Sequence, residues 1–355
     1  GLVGTLGCGM PGHLVDTGMT TPDVFTVHSN LALIEQQDGQ AVAMEVSSHG
    51  LDQGRVDGVY FHTALITNLT RDHLDYHGDI QAYGAAKKKL FQRPELQCAV
   101  LNADDSFTYG LCQELPAGIN CVTYSTQSAN ADVWVKDASY HSQGVSGVIH
   151  SPSGEQEFAC SLLGPFNLSN VLGVIALLGA WDYPLADILA QVEKLVPVPG
   201  RMQIITGNGP LVIVDYAHTP DALEQALKAS RIHCDGTLRL VFGCGGDRDQ
   251  GKRKQMGEIA NQFADQSVVT SDNPRSEPPE KIIDMIAAGF DNKQCYSREV
   301  DRAKAITLAI TKAAVNDCVL IAGKGHENYQ ETGAVRIVFS DADVAAKAFL
   351  LRGAA

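Results

Sequence analysis

The sequence lacks the features that mark several specialised classes of protein. Its nine cysteines form no C-x-x-C pair and show no metal-ligand spacing, no apolar run reaches membrane-spanning length, and we expect no signal peptide. Its net charge of −14 argues against a general nucleic-acid surface. We therefore expect a cytoplasmic protein with no membrane or nucleic-acid partner. The net charge does not exclude phosphorylated small molecules as ligands, because binding them requires only local basic groups.

Length and composition predict a soluble globular protein of two domains. The chain has 355 residues, of which 45% are hydrophobic and 19% charged, so each domain can bury its own core. Four cysteines in or beside apolar runs are typical of free thiols in a reducing compartment: Cys98, Cys121, Cys160 and Cys318. Because the chain begins at Gly1 rather than Met and opens inside a predicted strand and turn, we expect a preceding segment.

The first half alternates short apolar runs with helical spacing, which predicts an α/β fold with a mostly parallel sheet. Its strands are predicted at residues 41–46, 64–69 and 99–102, and its helices at 23–37 and 79–91. Short strands joined by Gly, Ser and Pro then predict a small antiparallel patch at 122–125, 132–136, 145–150 and 157–162. Two further helices are predicted at 167–180 and 187–195.

The second half resumes the βα alternation after a linker at residues 197–200 and predicts a Rossmann-like domain. Its strands are predicted at 211–215, 238–243, 267–270 and 318–322, and its helices at 220–230, 252–263, 280–288 and 302–315. The glycine-rich turn after the second of these strands is not G-x-G-x-x-G, which excludes a dinucleotide fingerprint. We place the domains at residues 1–199 and 200–355.

Polar clusters follow the strands of the first half. Residues 43–51 bring a carboxylate, two hydroxyls and a histidine to a strand end, a set that can hold Mg²⁺ and orient a phosphate, or simply cap the next turn. Residues 67–78 form a second such cluster, and both would face one crevice. The lysine triplet at 87–89 is, on its own, typical of a solvated helix face.

Charged groups also follow each predicted strand of the second half. The sharpest cluster is residues 272–275, which offer a carboxylate, an amide, a rigid turn and a guanidinium. An arginine fork suits a substrate carboxylate, whereas the alternative is a cap and turn before the next helix. Two asparagines, Asn167 and Asn170, could cap their own helix or contact a base edge.

Six ordered motifs resemble the Mur ligases: residues 45–50, 71–77, 215–221, 245–248, 272–275 and 323–327. The resemblance covers essentially the whole chain. It implies a central ATPase domain with a mostly parallel sheet and a small antiparallel patch, followed by a Rossmann-like C-terminal domain. A Gly-Lys-Thr phosphate loop is expected before Gly1, and Gly4-Thr5-Leu6-Gly7 has no lysine to replace it. An inactive binding fragment is therefore an alternative to an active enzyme.

The resemblance is to members that add diaminopimelate during peptidoglycan synthesis. It implies ATP-dependent amide ligation of meso-2,6-diaminopimelate to UDP-MurNAc-L-Ala-D-Glu through an acyl phosphate, with Mg²⁺ and ATP. The expected partners are these small molecules, and the expected state is a monomer. The same chemistry with lysine as acceptor, or a folylpolyglutamate synthase-like ligase, is the alternative.

The resemblance also assigns individual residues. Catalysis and Mg²⁺ binding are carried over to Glu45, His73 and Lys87, the last as a carbamylated lysine. The muramoyl-dipeptide nucleotide is assigned to Thr20, Thr21, Ser47, Gln53 and Arg55. ATP is assigned to Asn167, Asn170, Arg201 and Asp215. Diaminopimelate is assigned to Arg248, Asp272, Asn273, Pro274, Arg275, Gly323 and Glu327.

Overall fold

The computed structural model describes residues 1–70, 72–292 and 294–353. Contacts divide the chain into two compact units. Unit 1 comprises Gly1–Val135, Ile149–Glu155 and Ser169–Ile188. Unit 2 comprises Lys136–Val148, Gln156–Leu168 and Leu189–Ala355. The domain boundaries expected from the sequence, 1–199 and 200–355, stay a prediction.

The chain opens with a sheet in the order β3-β2-β1-β4. Its strands are β1 (Leu2–Gly4), β2 (Gly7–Met10), β3 (His13–Val15) and β4 (Ala43–Met44). The first three pair antiparallel, and β1 pairs parallel with β4. Helix α1 (Val24–Gln36) precedes β4 and begins where Asp23 accepts hydrogen bonds from the amides of Phe25 and Thr26. The strand predicted at 41–46 is thus present but shorter.

A second sheet follows in the order β10-β9-β8-β7-β6-β5. Its strands are β5 (Thr63–Ile66), β6 (Cys98–Asn102), β7 (Asn120–Ser125), β8 (Val133–His141), β9 (Gly144–Ser151) and β10 (Gly154–Cys160). The helices of this part of the chain are α2 (Ser48–Asp52), α3 (Leu74–His77), α4 (Ile80–Lys88), α5 (Ser106–Leu111), α6 (Pro165–Gly179) and α7 (Leu185–Val192).

The antiparallel patch predicted from residue 122 onward begins later than expected. Strand β7 pairs parallel with both β6 and β8, so its inclusion in the patch was wrong. The reason is that α5 carries the chain from β6 to β7, which is a βαβ connection between parallel strands. Strands β8, β9 and β10 are joined in series by the two short turns at 142–143 and 152–153, the connection that antiparallel neighbours use.

Unit 2 contains a sheet in the order β11-β12-β16-β13-β14-β15. Its strands are β11 (Gln203–Ile205), β12 (Leu211–Asp215), β13 (Leu238–Phe242), β14 (Gln266–Val269), β15 (Tyr296–Arg298) and β16 (Cys318–Ala322). All neighbouring pairs are parallel except β11 with β12. A separate hairpin pairs β17 (Tyr329–Thr332) with β18 (Val335–Val338). The helices are α8 (Pro220–Arg231), α9 (Gly251–Phe263), α10 (Pro279–Ala287), α11 (Arg302–Lys312) and α12 (Asp341–Gly353).

The parallel sheet of unit 2 is buried on both faces. Every residue of β16 is buried, and its successive side chains pack alternately into two apolar clusters, with Leu320 in one and Ile321 in the other. Such strands read as continuous apolar runs, which is why the sequence predicted 211–215 and 318–322 to the residue. The carboxyl ends of β12, β13, β14 and β16 consequently lie along one edge, where their charged segments follow.

All nine cysteines are free thiols, including the four for which the sequence predicted this. Cys98, Cys160 and Cys318 are buried, and Cys121 is half-buried. Among the described helices, none is both long and apolar enough to span a membrane.

Candidate active site

In unit 1, three of the predicted nucleotide-binding residues share one hydrogen-bond network with Glu45. The buried Thr21 hydroxyl donates to the carbonyl oxygen of Glu45 at 2.9 Å and accepts from the amide of Ser47 at 2.9 Å. The Glu45 carboxylate accepts from the Thr5 hydroxyl at 2.8 Å, and the hydroxyls of Thr5 and Thr20 are 2.9 Å apart. The end of β4 is therefore surrounded by hydroxyl groups.

Ser47 also serves the local backbone. Its hydroxyl accepts from the amide of Gly50 at 3.0 Å and so caps the short helix α2. The capping interpretation of this strand end is therefore confirmed, and the site interpretation stays a prediction. Close packing fixes the turn, because a Cβ at Gly50 would lie 2.7 Å from Thr21 Cγ2.

Arg55 and Gln53 extend this network to a tyrosine. Arg55 Nη1 donates to the carbonyl oxygen of Thr21 at 2.7 Å, and its Nε donates to Gln53 Oε1 at 2.9 Å. Gln53 Nε2 donates to the Tyr76 hydroxyl at 3.2 Å, which in turn donates to Asp52 Oδ2 at 3.0 Å. All five residues assigned to the muramoyl-dipeptide nucleotide thus belong to one connected group, together with Tyr76, which sequence reasoning did not assign.

Three histidines lie next to this group. The ring centroid of His49 is 4.1 Å from that of Tyr76, 5.0 Å from that of His73 and 5.4 Å from that of His77. Burial lowers the pKa of His49, and the neighbouring His73 and His77 lower it further. His73 adopts a left-handed backbone with φ of +54° at the start of α3. Arg71, the first residue of this motif, lies outside the described residues.

Lys87 and the histidine group lie near the same aromatic ring, that of Tyr83. Its Nζ is 5.0 Å from the Tyr83 ring centroid, and the His73 ring is 5.8 Å from the same ring. Burial lowers the pKa of the Lys87 amine, and Asp72 opposes that shift. A lysine with a lowered pKa has a larger fraction of neutral, nucleophilic amine. Lys88 and Lys89 instead form ion pairs with Glu114 and Asp52, as a solvated face predicts.

The side chains assigned to Mg²⁺ do not form a metal site as unmodified residues. Lys87 carries an ammonium group that repels a cation, and the carboxylate of Glu45 is engaged by Thr5. Across residues 1–70, 72–292 and 294–353, no cluster of three or more His, Cys, Asp or Glu side chains could hold a metal ion. Magnesium binding therefore stays a prediction that depends on modification of Lys87.

In unit 2, the segments after β14 and β16 meet through their side chains. Asn273 Nδ2 donates to Glu327 Oε2 at 2.9 Å. Lys324, which is fully buried, donates from Nζ to Asn273 Oδ1 and to Glu327 Oε2, both at 3.0 Å. Gly323 has a φ of +117°, and a Cβ there would lie 2.7 Å from Asp272 Oδ2. Two predicted substrate-binding segments thus form one polar cluster, and Lys324 is a member that sequence reasoning did not assign.

The helix-cap interpretation of residues 272–275 was wrong. Helix α10 begins at Pro279, and no side chain caps it. Asp272 instead accepts a hydrogen bond from the amide of Asn273 at 2.7 Å, within its own turn. Pro278 instead stands at the N-cap position and Pro279 is the first helical residue, where the fixed φ of proline suits the start of a helix.

Arg275 is held between the turn at 245–248 and the hairpin. Its Nη1 donates to the carbonyl oxygen of Gly246 at 2.8 Å, and its Nε is 3.5 Å from Glu331 Oε2. Its own backbone has a φ of +48° and pairs with the hairpin, since its amide donates to the carbonyl oxygen of Glu331 at 3.1 Å. A Cβ at Gly246 would overlap the carbonyl oxygen of Pro274. These contacts hold the backbone and the guanidinium of Arg275 in place.

Arg248 is exposed beside this group. A Cβ placed on Gly245 would lie 2.9 Å from Arg275 Nη1 and 3.7 Å from Arg248 Cγ, so the two arginines flank one glycine. Among the seven residues assigned to the amino acid, four are buried, Arg275 and Glu327 are half-buried, and Arg248 is the one that faces solvent.

Asp215 and Arg201 lie beside the segment that follows β16. The carboxylate of Asp215 accepts from the amides of Met202 and Ala217, each at 2.8 Å, and burial raises its pKa. The guanidinium of Arg201 is 4.6 Å from the ring centroid of Tyr216. Backbone pairing joins them to the cluster, because the amide of Gly323 donates to the carbonyl oxygen of Asp215 at 3.1 Å.

The two asparagines of α6 differ in their surroundings. Asn167 Nδ2 donates to the carbonyl oxygen of Leu163 at 2.7 Å, which is a local bond at the start of the helix. Asn170 is exposed one turn later. Their assignment to ATP is neither supported nor contradicted by these contacts and stays a prediction.

Fold and site together define a class: an α/β protein whose charged and amide side chains gather at the carboxyl ends of parallel strands, where such folds bind small molecules. Two family models match the chain, the Mur ligase middle domain over residues 1–178 and the Mur ligase glutamate ligase domain over residues 200–325. The chain belongs to the Mur ligase family.

Its similar relatives include enzymes named UDP-N-acetylmuramoyl-L-alanyl-D-glutamate–2,6-diaminopimelate ligase. The one from Xanthomonas campestris pv. campestris (strain 8004) is 49% identical over 355 residues, which is 99% of this chain and 72% of the relative. The one from Pseudomonas aeruginosa PAO1 is 48% identical, over 98% of this chain and 72% of the relative. A solved structure of such a ligase matches with a TM-score of 0.80 and 39% identity, covering 99% of this chain and 72% of its own.

Proposed function

We propose that the chain performs ATP-dependent addition of meso-2,6-diaminopimelate to UDP-MurNAc-L-Ala-D-Glu in peptidoglycan synthesis. The observation that supports it most is the polar cluster of unit 2, in which Asn273, Lys324 and Glu327 are joined beside the fixed guanidinium of Arg275. The similarity to named diaminopimelate ligases along 99% of the chain supports the same substrate.

The proposed chemistry activates a carboxylate with ATP. The γ-phosphoryl group is transferred to the D-glutamate carboxylate to give an acyl phosphate and ADP. The amine of diaminopimelate attacks the acyl carbon, and the tetrahedral intermediate expels phosphate to leave an amide. Charge on the transferring oxygens must be met by cations, which is a role for basic side chains at the strand ends.

The three substrates are proposed to contact different sets of residues. The nucleotide-linked dipeptide is proposed to contact the connected group of unit 1: Thr20, Thr21, Ser47, Gln53 and Arg55. ATP is proposed to contact Asn167, Asn170, Arg201 and Asp215. Diaminopimelate is proposed to contact Arg248, residues 272–275, Gly323 and Glu327. Mg²⁺ is proposed to need the carbamate of Lys87, which would supply oxygen ligands in place of an ammonium group.

Amino-acid selection is proposed to rest on Arg275. Diaminopimelate differs from lysine by a second carboxylate, and a guanidinium fork pairs with a carboxylate at two points. With lysine, the half-buried fork would be left without that partner. Sites built on such polar pairing reject an analogue that lacks the group. Arg275 thus favours diaminopimelate over lysine as the acceptor.

Product analysis tests the proposal directly. The chain is incubated with ATP, the nucleotide-linked dipeptide and meso-diaminopimelate, and the mixture is resolved by mass spectrometry. We expect ADP, phosphate and a product heavier by diaminopimelate less one water, with all three reactants required. Binding of the three ligands without any product would instead support a binding fragment, and a product formed equally well from lysine would contradict the proposed acceptor.

A further inference from the structure

A buried ion pair lies next to the polar cluster, and no motif of the sequence pointed to it. Arg302 is the first residue of α11, Asp341 is the first residue of α12, and both side chains are fully buried. The guanidinium donates from Nε to Asp341 Oδ1 and from Nη2 to Asp341 Oδ2, each at 2.7 Å. This two-point contact fixes the plane of the guanidinium.

The same guanidinium reaches the backbone at the ends of two strands. Its Nη1 donates to the carbonyl oxygen of Ser271 at 3.3 Å, and its Nη2 donates to that of Ala322 at 3.0 Å. Ser271 directly precedes Asp272, and Ala322 directly precedes Gly323. Because β13 lies between β14 and β16 in the sheet, Arg302 joins two strand ends that share no ladder hydrogen bonds.

The charge of Arg302 also interacts with two carboxylates of the predicted site. Burial would lower the pKa of its guanidinium, but Asp341 raises it, and Asp272 and Glu327 raise it further, so that the pKa lies above its ordinary value. The cation is thus held by the ion pair on one side and attracted by two carboxylates of the site on the other.

We propose that Arg302 is a positioning residue for the amino-acid site. With Asp341, it sets the separation between residues 272–275 and 323–327, and through them the geometry of the Asn273–Glu327 contact. The inference rests on the proposed function, since it takes these segments as the diaminopimelate site. The competing explanation is that Arg302 only satisfies two buried carbonyl groups and stabilises the fold.

A matched pair of substitutions separates the two explanations. Arg302→Lys retains a cation for Asp341 but loses the planar fork, and the three donors of an ammonium group cannot replace all four hydrogen bonds of Arg302. Arg239→Lys makes the same change in the Arg239–Asp317 pair, where Nε and Oδ2 are 3.1 Å apart at the opposite, amino end of β13 and β16. A second variant, Arg302→Met with Asp341→Leu, removes the pair without leaving an unpaired charge.

Isothermal titration of meso-diaminopimelate into the whole chain gives the first measurement. We expect about tenfold weaker binding or more for both Arg302 variants, the scale of one lost charged contact, and unchanged binding for Arg239→Lys. Amide hydrogen exchange gives the second. We expect faster exchange at residues 272–275 and 323–327 in both Arg302 variants, with β16 itself still protected.

The outcomes distinguish this inference from the proposed function. If the folded Arg302 variants bind diaminopimelate as the unmodified chain does and exchange at the same rates, Arg302 is not a positioning residue. If the unmodified chain does not bind diaminopimelate, the proposed substrate is wrong, and the exchange rates alone decide whether Arg302 holds the two segments. Equal weakening by Arg239→Lys would show a general stability effect and overturn the inference.

Discussion

The ammonium group of Lys324 lies 3.0 Å from the amide oxygen of Asn273 and 3.0 Å from a carboxylate oxygen of Glu327. It is fully buried, and it supplies the positive charge that lets an amide and a carboxylate from two separate segments share one cluster. An unpaired charge in this position would be costly, which makes the cluster sensitive to single substitutions.

Lys324→Met is therefore expected to destabilise the chain. Removing the ammonium leaves Glu327 without its ion-pair partner, and we expect the free energy of unfolding to fall by about 3 kcal/mol. The matched control is Lys254→Met, whose partner Glu258 is one helical turn away and exposed; there we expect less than about 0.5 kcal/mol. Urea unfolding measures both, and similar losses for the two variants would contradict the role of burial.

Gly323→Ala is expected to disturb the site more than an equivalent change elsewhere. Both Gly323 and Gly333 have positive φ, +117° and +59°, but only at Gly323 does a Cβ approach another group, Asp272 Oδ2 at 2.7 Å. We expect Gly333→Ala to cost about 1 kcal/mol of stability, from backbone strain alone, and Gly323→Ala to cost more. Thermal unfolding with titration of diaminopimelate checks this, and equal effects of the two variants would count against it.

Glu277 predicts a loss of stability in acid. Its hydrogen bonds from Arg253 lower its pKa to about 2, from an ordinary value of 4.5. Because the folded value lies below the unfolded one, the stabilisation is fully present above pH 4.5 and is lost as the pH falls toward 2. We expect the unfolding curves of the unmodified chain and Glu277→Gln to differ at pH 6 and to converge near pH 2. A difference that does not depend on pH would rule out this linkage.

Lys87 is expected to be carbamylated. Burial lowers the pKa of its amine, which leaves more neutral amine to react with carbon dioxide. With ¹³C-labelled bicarbonate, we expect one carbamate carbon resonance that disappears in Lys87→Arg and persists in Lys88→Arg, since Lys88 is engaged by Glu114 at 2.7 Å. If only Lys88→Arg loses the resonance, the carbamate is on Lys88 and the prediction for Lys87 is contradicted.

The sequence predicted the parts of the fold that follow from continuous apolar runs. Strand β16 was predicted to the residue because all five of its side chains are buried, and α8 to within one residue because Thr219 caps it and Pro220 starts it. The hairpin of β17 and β18 was missed because β18 is exposed along its whole length and has no apolar face to pack. Its only local signal is Gly333, at the turn.

The site was predicted as separate motifs, but not as contacts. Charged residues after each strand were visible in the sequence, and the parallel order of the strands implied that they share an edge. The Arg302–Asp341 pair was not predictable, because the two residues are far apart in sequence and stand at helix starts with no motif of their own. Tertiary packing alone brings them together.

Selection of the amino acid by Arg275 is the central claim, and one titration tests it. Calorimetry compares meso-diaminopimelate with L-lysine for the unmodified chain and for Arg275→Ala, with Arg298→Ala as a control, since that arginine pairs with Asp284 on the surface. We predict that the unmodified chain and the control prefer diaminopimelate by about a hundredfold or more, and that Arg275→Ala loses most of this preference. An unchanged ratio in Arg275→Ala would contradict the claim.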